Sequence, residues 1–357
     1  MSKSDLLLEV RDLKTQFFTD DGIVRAVDGV SFEMKRGETL CIVGESGCGK
    51  SVTARSILQI LDYPGRIVEG QILFHRVSQV NGSEVRETVD LVALGSRGPE
   101  IRAVRGKDIS MIFQEPMTSL SPIHTIGNQI TEAIRLHLPV SKYEAEERAI
   151  ELLHRVGIPQ PADRMGTYTF QLSGGMRQRA MIAMALSCGP SLLIADEPTT
   201  ALDVTTQAQI LDMMKELKDD LGMSIMLITH DLGVVAEMAD DVVVMYLGTV
   251  AERGGVVEVF HDAQHPYTQA LLRSIPKYGL RAKGVRLDSI RGMVPDPYSR
   301  PDGCPYYPRC DHMMPGKCDR ISPPSFKIGK DRVVRCLLYE GHDVADQKLH
   351  SNPSGNI

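Results

Sequence analysis

The sequence contains no tryptophan and is poor in other aromatic residues, with 8 Phe and 10 Tyr among 357 residues. Proteins that bind single-stranded nucleic acid stack successive bases on aromatic side chains, so this scarcity disfavours such a surface. The formal net charge of −6 also provides no bulk attraction for nucleic acid. We therefore expect no nucleic-acid partner.

Long apolar runs are missing as well. No window approaches the roughly 18 uninterrupted apolar residues that a transmembrane helix requires. The N-terminal run MSKSDLLLEVRDL is too short for a signal peptide, so we expect neither a leader nor a membrane span. The cysteines number 7, an odd count that favours a reducing, cytosolic setting.

A glycine-rich turn at 44–51 is the feature around which the chain is organised. Gly44 is followed after four residues by Gly49-Lys50-Ser51, between a buried-strand signal and a segment with helical spacing. In that context backbone N–H groups point at phosphate oxygens, and the helix N-terminus adds its dipole. Lys50 would reach the outer phosphates and Ser51 would ligate Mg²⁺; the alternative is a chance glycine-rich turn. The residues here predicted to bind ATP are Gly44, Glu45, Ser46, Gly47, Cys48, Gly49, Lys50, Ser51 and Val52.

Cys48 lies at the start of the predicted helix. A helix N-terminus can lower the pKa of a thiol, so we expect Cys48 to react with alkylating reagents and ATP to protect it.

The segment before the turn is predicted to form strands over 5–38, with a hairpin turn at 20–22. Phe17 lies in this segment, either as a core residue or as a stacking partner for adenine. Residues 77–99 are polar and contain a turn signal, which predicts a surface hairpin or insertion.

Three further buried-strand signals end in polar residues: Gln114, the pair Asp196-Glu197, and His230. Asp196 is placed to hold Mg²⁺ or its waters, and Glu197 to polarise an attacking water. Adjacent acids after a strand can instead cap a helix, and a lone strand-end histidine is often structural. Because His230 is expected at the same sheet edge as Gln114 and Glu197, it is a candidate sensor of the γ-phosphate.

A second anion-binding helix start is predicted at LSGGM (172–176). Its serine hydroxyl and two glycines precede the helical segment MRQRAMIAMALS, leaving backbone N–H groups open to an anion. Between Gln114 and this motif, apolar residues recur at three- and four-residue spacing over 127–165, which predicts a helical insert at about 115–175.

The order and spacing of these motifs resemble the nucleotide-binding subunits of ABC transporters. The resemblance covers about residues 5–260 and rests on GESGCGKS, Gln114, LSGGM, LLIADE, TALD (200–203) and His230. It implies an α/β fold: a P-loop NTPase core with an antiparallel β subdomain, a helical subdomain and a small C-terminal cysteine-rich extension.

The resemblance also implies roles for individual residues. Lys50 and Ser51 correspond to the Walker A ligands and Asp196 to the Walker B aspartate, while Glu197 is the expected catalytic base. Gln114 is the Q-loop residue, acting in catalysis and on Mg²⁺. His230 is the switch histidine, Asp203 the D-loop aspartate and Phe17 the adenine-stacking residue. The expected signature residues, which would contact ATP held by the other subunit of a head-to-tail dimer, are Ser173, Gly174, Gly175 and Gln178.

The C-terminal part narrows the resemblance. The runs QEPMTSLSP (114–122), HPYTQALLRSIP (265–276) and GCPYYPRC (303–310) are similar to the dipeptide/oligopeptide/nickel importer ATPases, and LSGGMRQR to the first of that family's two paired ATPase subunits. The implied partners are a second homologous ATPase, two membrane permeases and an external solute-binding protein. The implied location is the cytoplasmic face of the inner membrane, with the protein bound peripherally. The alternatives are a soluble ABC ATPase acting on nucleic acid or the ribosome, and a non-hydrolysing regulator.

Four cysteines lie close together near the C-terminus: Cys304, Cys310, Cys318 and Cys336. Gaps of 5, 7 and 17 residues match neither the zinc pairing C-x₂-C nor the ferredoxin run. The surrounding proline-rich segment has too few apolar residues for a core, so a metal would order it. The resemblance implies a 4Fe-4S cluster on these cysteines; Zn²⁺, disulfides and free thiols remain alternatives. The predicted domains are an ATPase domain at 5–262, this extension at 263–340 and a flexible tail at 341–357.

Overall fold

The computed structural model describes residues 5–80, 83–114, 119–200, 202–275 and 290–345; for residues 78–80 and 83 it describes the backbone only. Two sheets and a set of helices give the α/β architecture that the sequence predicts. One sheet is entirely antiparallel, and the other has a parallel centre.

The antiparallel sheet has the strand order β2-β1-β4-β5. Its strands are β1 (Leu6–Thr19), β2 (Gly22–Lys35), β4 (Gly65–Val80) and β5 (Ser83–Asp90). The hairpin predicted at 20–22 joins β1 to β2, and β4 and β5 form the predicted surface hairpin. The first half of β4 pairs with β1 and its second half pairs with β5.

The larger sheet has eight strands in the order β11-β12-β10-β9-β3-β8-β7-β6. Its parallel centre consists of β3 (Thr39–Val43), β6 (Ile109–Ile112), β7 (Leu192–Asp196), β8 (Ser224–Ile228) and β9 (Asp241–Tyr246). Every residue of β3, β7 and β8 is buried, as expected for parallel strands covered on both faces. The carboxyl ends of these strands share one edge, so the loops that follow them lie together.

Helices cover both faces of this sheet and form the segment that follows β6. They are α1 (Lys50–Ile57), α2 (Pro99–Val104), α3 (Ile126–His137), α4 (Lys142–Arg155), α5 (Pro161–Arg164), α6 (Gly174–Leu186), α7 (Val204–Leu221), α8 (Leu232–Met238), α9 (Val256–His261) and α10 (Pro266–Arg273). The segment predicted to be helical contains α3, α4 and α5. Thr125 caps α3, and Ser141 with Glu144 forms a capping box at α4. Among the described residues, no helix is long and apolar enough to cross a membrane.

The extension does not stand apart from the larger sheet. Its strands β11 (Phe326–Lys327) and β12 (Val333–Val334) continue that sheet beyond β10 (Thr249–Gly255). Cys304, Tyr306 and Leu337 are buried in the main core. The few apolar side chains of this segment therefore share the core of the larger sheet. Of the predicted tail, residues 346–357 lie outside the described residues.

Candidate functional site

The glycine-rich turn connects β3 to α1, as the sequence predicts, and its glycines are needed for their backbone. Gly49 is the N-cap of α1 in the left-handed conformation, at φ 97°. Gly44 has φ 151°, and a Cβ there would overlap the carbonyl oxygen of Met245. The Gly248 N–H donates to the Cys48 carbonyl at 2.9 Å, which anchors the loop on the neighbouring turn.

Lys50 lies inside the curl of this loop and is 5% exposed. Its ammonium Nζ donates to the carbonyl oxygens of Gly44 at 2.8 Å and Glu45 at 3.1 Å. These bonds fix the cation at the mouth of the loop, where phosphate oxygens would approach.

Ser51 and Asp196 face each other across the sheet edge. The Ser51 hydroxyl donates to Asp196 Oδ1 at 2.9 Å. Burial raises the pKa of Asp196 against the opposing hydrogen bond from Ser51, and the nearby Glu197 charge raises it further. Hydroxyl and carboxylate oxygens are the hard ligands that Mg²⁺ takes, so this pair fits that cation, whose charge would also favour the ionised carboxylate.

Glu197 accepts hydrogen bonds from three side chains. Gln114 Nε2 and the Thr200 hydroxyl each lie 3.0 Å from Oε2, while His230 Nδ1 lies 3.2 Å from Oε1. The backbone of Glu197 is left-handed at φ 47°, and its N–H donates to the Ile228 carbonyl at 2.9 Å. A residue with a Cβ seldom adopts this conformation outside special sites. The structure thus brings Gln114, Glu197 and His230 together at the edge that also carries Asp196.

Comparisons with known proteins agree with this geometry. Residues 27–200 match the family described as ABC transporter, and residues 251–318 match the family described as oligopeptide/dipeptide transporter, C-terminal region. The chain is 48% identical to the dipeptide transport ATP-binding protein DppD of Bacillus subtilis, over 94% of this chain and 95% of that protein. It is 49% identical to the oligopeptide transport ATP-binding protein AppD of the same organism, over 94% and 97%.

The chain belongs to the ABC transporter ATP-binding proteins. It is an ATPase whose hydrolysis is coupled to transport. Solved structures agree on the fold: the bacterial ABC transporter cassette MJ0796 has a TM-score of 0.58 at 25% identity, covering 70% of this chain and 99% of that one. The cassette cbiO1 of Clostridium perfringens has 0.57 at 28%, covering 72% and 92%.

The residues predicted to form the signature motif lie at the start of α6. The Ser173 hydroxyl caps the helix by accepting the Met176 N–H at 3.3 Å, and Ser173 and Gly174 are exposed. Asp203 caps α7 in the same way, accepting the Thr206 N–H at 2.9 Å. A Cβ at Gly175 would lie 3.0 Å from Thr206 Cγ2, so the start of α6 packs against the first turn of α7. Among the described residues, no hydrogen bond joins the signature residues to the P-loop.

Gln178, the fourth expected signature residue, lies deeper than the other three. It is 2% exposed on the inner side of α6, and its Nε2 has no hydrogen-bond partner within the described part of the chain. The contact expected between Gln178 and nucleotide held by another subunit stays a prediction.

Phe17 lies in β1 opposite Gly65 of β4, and its ring covers that glycine: a Cβ at Gly65 would lie 2.7 Å from Phe17 Cε1. The neighbouring Phe18 is 39% exposed, with the Arg66 guanidinium 5.3 Å from its ring centre. Neither the adenine-stacking role of Phe17 nor the core alternative is tested by this placement.

The lowered pKa expected for Cys48 is wrong, whereas its reaction with alkylating reagents stays a prediction. The thiol is 1% exposed, and burial raises its pKa although Lys50 Nζ lies 3.8 Å away. The loop wraps over the side chain, so the helix dipole does not decide its ionisation.

The four C-terminal cysteines lie near one another without forming a single-ion site. Cys304, Cys318 and Cys336 are buried and Cys310 is half-buried, and none is in a disulfide. Burial, backed by the other three thiols, raises the pKa of Cys336 to about 12. In the part of the chain that the structure describes, no three His, Cys, Asp or Glu side chains are grouped to hold a metal ion. The predicted cluster therefore has no direct support in the geometry.

Three residues that contact the site were assigned no role in the sequence analysis. Thr200 lies three residues after Glu197, and its hydroxyl donates to the Glu197 carboxylate. Tyr267 and Arg309 both contact Glu45 of the P-loop from far along the chain.

Proposed function

We propose that this ATPase energises the import of peptides through a multi-subunit ABC transporter. The match of residues 251–318 to the oligopeptide/dipeptide transporter C-terminal region carries the proposal. Relatives at 48% and 49% identity, named for dipeptide and oligopeptide transport, support it. A nucleic-acid role finds no support in these relatives or in the charge of −6.

The residues at the carboxyl ends of the parallel strands would then each act in ATP hydrolysis. The loop N–H groups and Lys50 would bind the β- and γ-phosphates, and Ser51, Asp196 and Gln114 would hold Mg²⁺. When bound, the cation would supply charge neutralisation for the phosphoryl group. Glu197 accepts a proton from the attacking water, and His230 orients the carboxylate and senses the γ-phosphate.

A second subunit would complete the nucleotide-binding site. Ser173 and Gly174 are exposed at a capped helix start, followed by Gly175, and such a start suits phosphates held by a partner. The structurally similar cassette MJ0796 is dimeric. We propose a head-to-tail pair with a second homologous ATPase, this chain being the first of the two by its LSGGMRQR run. ATP then stabilises the closed pair and hydrolysis releases it.

Two membrane permeases and an external solute-binding protein would complete the transporter. The helical segment after Gln114 presents exposed apolar residues, among them Leu136 at 75% and Tyr143 at 69% exposure. Leu136 also lines a surface groove with Arg135 and Lys142. This face would receive the permeases, and the chain would lie peripherally on the cytoplasmic face of the inner membrane.

The extension would hold a 4Fe-4S cluster, with Cys304, Cys310, Cys318 and Cys336 as ligands. Each thiolate of such a cluster binds a different iron, so the four sulfurs need not converge on one point as they do around Zn²⁺. The donor set fits: four thiols lie near one another, and cationic iron would favour their thiolate forms over the neutral thiols that burial favours at Cys304, Cys310 and Cys336. The cluster would order the extension.

Transport is tested with the assembled transporter in proteoliposomes, comparing dipeptide, oligopeptide and Ni²⁺. Peptide should stimulate ATP hydrolysis and accumulate inside, and both effects should disappear in Glu197→Gln. Stimulation by RNA without peptide uptake would contradict the proposal, while uptake of Ni²⁺ alone would change only the substrate.

The cluster is tested on anaerobically purified protein by absorbance and by iron, sulfide and zinc analysis. We expect broad absorbance near ~400 nm with about four irons per chain, both reduced in Cys310→Ser and unchanged in the matched control Cys188→Ser. A colourless protein with about one zinc, or with no metal, would remove the cluster from the account.

A further inference from the structure

The C-terminal extension reaches the P-loop through one buried ion pair. Arg309 lies immediately before Cys310, yet its guanidinium binds the Glu45 carboxylate in two places: Nη1 to Oε2 at 2.6 Å and Nη2 to Oε1 at 3.0 Å. The Arg309 side chain is 4% exposed and that of Glu45 is 25% exposed. A bidentate contact of this type fixes orientation as well as distance.

Arg309 is itself held rigidly. Its Nε donates to the Arg291 carbonyl at 2.8 Å, and its guanidinium lies 5.8 Å from the ring centre of Tyr246. Burial opposes the charge, but the bonds to Glu45 and Tyr246 outweigh it and raise the pKa of Arg309. The Arg309 guanidinium is therefore held in one position, from which it can orient the P-loop.

A second contact holds the backbone of the same P-loop residue. The Tyr267 hydroxyl, from α10, accepts the Glu45 N–H at 2.9 Å. Tyr267 is fully buried and packs in a cluster with Tyr246 and Tyr306, at ring-centre distances of 4.7 and 5.4 Å.

The remaining backbone group of Glu45 contacts the phosphate-binding lysine, because its carbonyl accepts from Lys50 Nζ at 3.1 Å. Glu45 is thus restrained at its side chain by Arg309, at its N–H by Tyr267 and at its carbonyl by Lys50. Any shift of Glu45 would move the carbonyl that positions the Lys50 ammonium.

We propose that Arg309, assisted by Tyr267, is a positioning residue for ATP: it holds Glu45 so that the P-loop and Lys50 keep the geometry that binds phosphate. The extension is then a working part of the nucleotide site. The contact between Arg309 and Glu45 requires no metal at the neighbouring cysteines. The positioning role of Arg309 and the proposed cluster can therefore be tested independently.

The test uses the full-length chain for binding of ATP with Mg²⁺, and the assembled transporter for turnover. In Arg309→Ala we expect ATP affinity to fall and the KM for ATP to rise about tenfold, the size of one charge-assisted hydrogen bond. The kcat at saturating ATP should change little, since Glu197 and its partners are untouched. Arg309→Lys should recover part of the loss, because an ammonium keeps the charge without the planar fork.

The matched control is Lys317→Ala. Lys317 precedes Cys318 as Arg309 precedes Cys310, but it pairs with Glu340 away from the P-loop. Its KM for ATP should equal that of the unaltered protein. Glu45→Gln should raise KM as Arg309→Ala does, and the double variant should be no worse than the more affected single one, because both remove the same interaction.

Additive losses in the double variant, or an unchanged KM in an Arg309→Ala protein that melts normally, would overturn the proposal. Should Arg309→Ala lose its cooperative melting transition, Tyr267→Phe decides, because it removes only the hydroxyl that accepts the Glu45 N–H. A raised KM in Tyr267→Phe supports the positioning role, and an unchanged KM refutes it.

Discussion

Ser51 and Asp196 are 145 residues apart in the chain, and the hydroxyl of one donates to the carboxylate of the other at 2.9 Å. The bond joins the first turn of α1 to the end of β7. It sets two hard oxygen ligands side by side before any cation arrives, so little reorganisation is needed to bind Mg²⁺.

Replacing Ser51 by alanine should therefore weaken Mg²⁺-dependent ATP binding by about tenfold, through loss of one ligand and of the bond that holds Asp196. The measurement is ATP affinity across a Mg²⁺ titration. Ser299→Ala is the matched control, because Ser299 is an exposed serine of the extension, outside the residues predicted to bind ATP. Equal affinities in the two variants would remove Ser51 from the cation site.

Gly44→Ala should impair both folding and nucleotide binding. Its φ of 151° is unfavourable for a residue with a Cβ, and that atom would overlap the Met245 carbonyl. We expect a destabilisation of about 1–3 kcal/mol, measured by chemical denaturation. Gly166→Ala serves as control, since a Cβ there meets nothing within 4 Å. A Gly44→Ala protein as stable as Gly166→Ala would show that the loop tolerates the side chain.

Acid should destabilise the protein through His265. Burial lowers the pKa of this imidazole to about 4, partly offset by a hydrogen bond to the Arg335 backbone. Its Nδ1 accepts the Tyr267 backbone N–H at 3.0 Å, so the ring is neutral in the fold. The ring lies beside Tyr306, and the backbone N–H of His265 donates to the Glu252 carboxylate. Since the unfolded chain takes up this proton near pH ~6.5, stability is full above that pH.

As the pH falls from about 6.5 towards 4, the free energy of unfolding should decrease by up to about 1.4 kcal/mol per pH unit from this group. Urea denaturation at several pH values measures the slope. In His265→Gln the slope across this window should be smaller. An unchanged slope would assign the acid sensitivity to other groups.

Much of the site could be predicted because parallel strands deliver their ends to one edge. Gln114, Glu197 and His230 each follow an apolar run, and a common sheet orientation is enough to expect them together. The glycine-rich turn was predictable for a related reason, since few sequences support that backbone between a strand and a helix.

The features that the sequence did not predict depend on contacts between distant parts of the chain. Arg309 and Glu45 are 264 residues apart, and no local pattern selects one arginine of the extension over another. The ionisation of Cys48 depends on how the loop covers it, which outweighs its position at a helix start. The strands β11 and β12, of two residues each, are set by the open edge of β10 and carry no periodicity of their own.

The most direct test of the account is ATP hydrolysis by Glu197→Gln in the assembled transporter, with bound nucleotide measured on the same sample. The matched control is Glu237→Gln, an exposed acid of α8. We expect Glu197→Gln to bind ATP normally while its turnover falls about 10²- to 10⁴-fold, because a glutamine cannot accept the water's proton. Turnover near that of Glu237→Gln would contradict the assignment of Glu197 as the base on which the proposed mechanism rests.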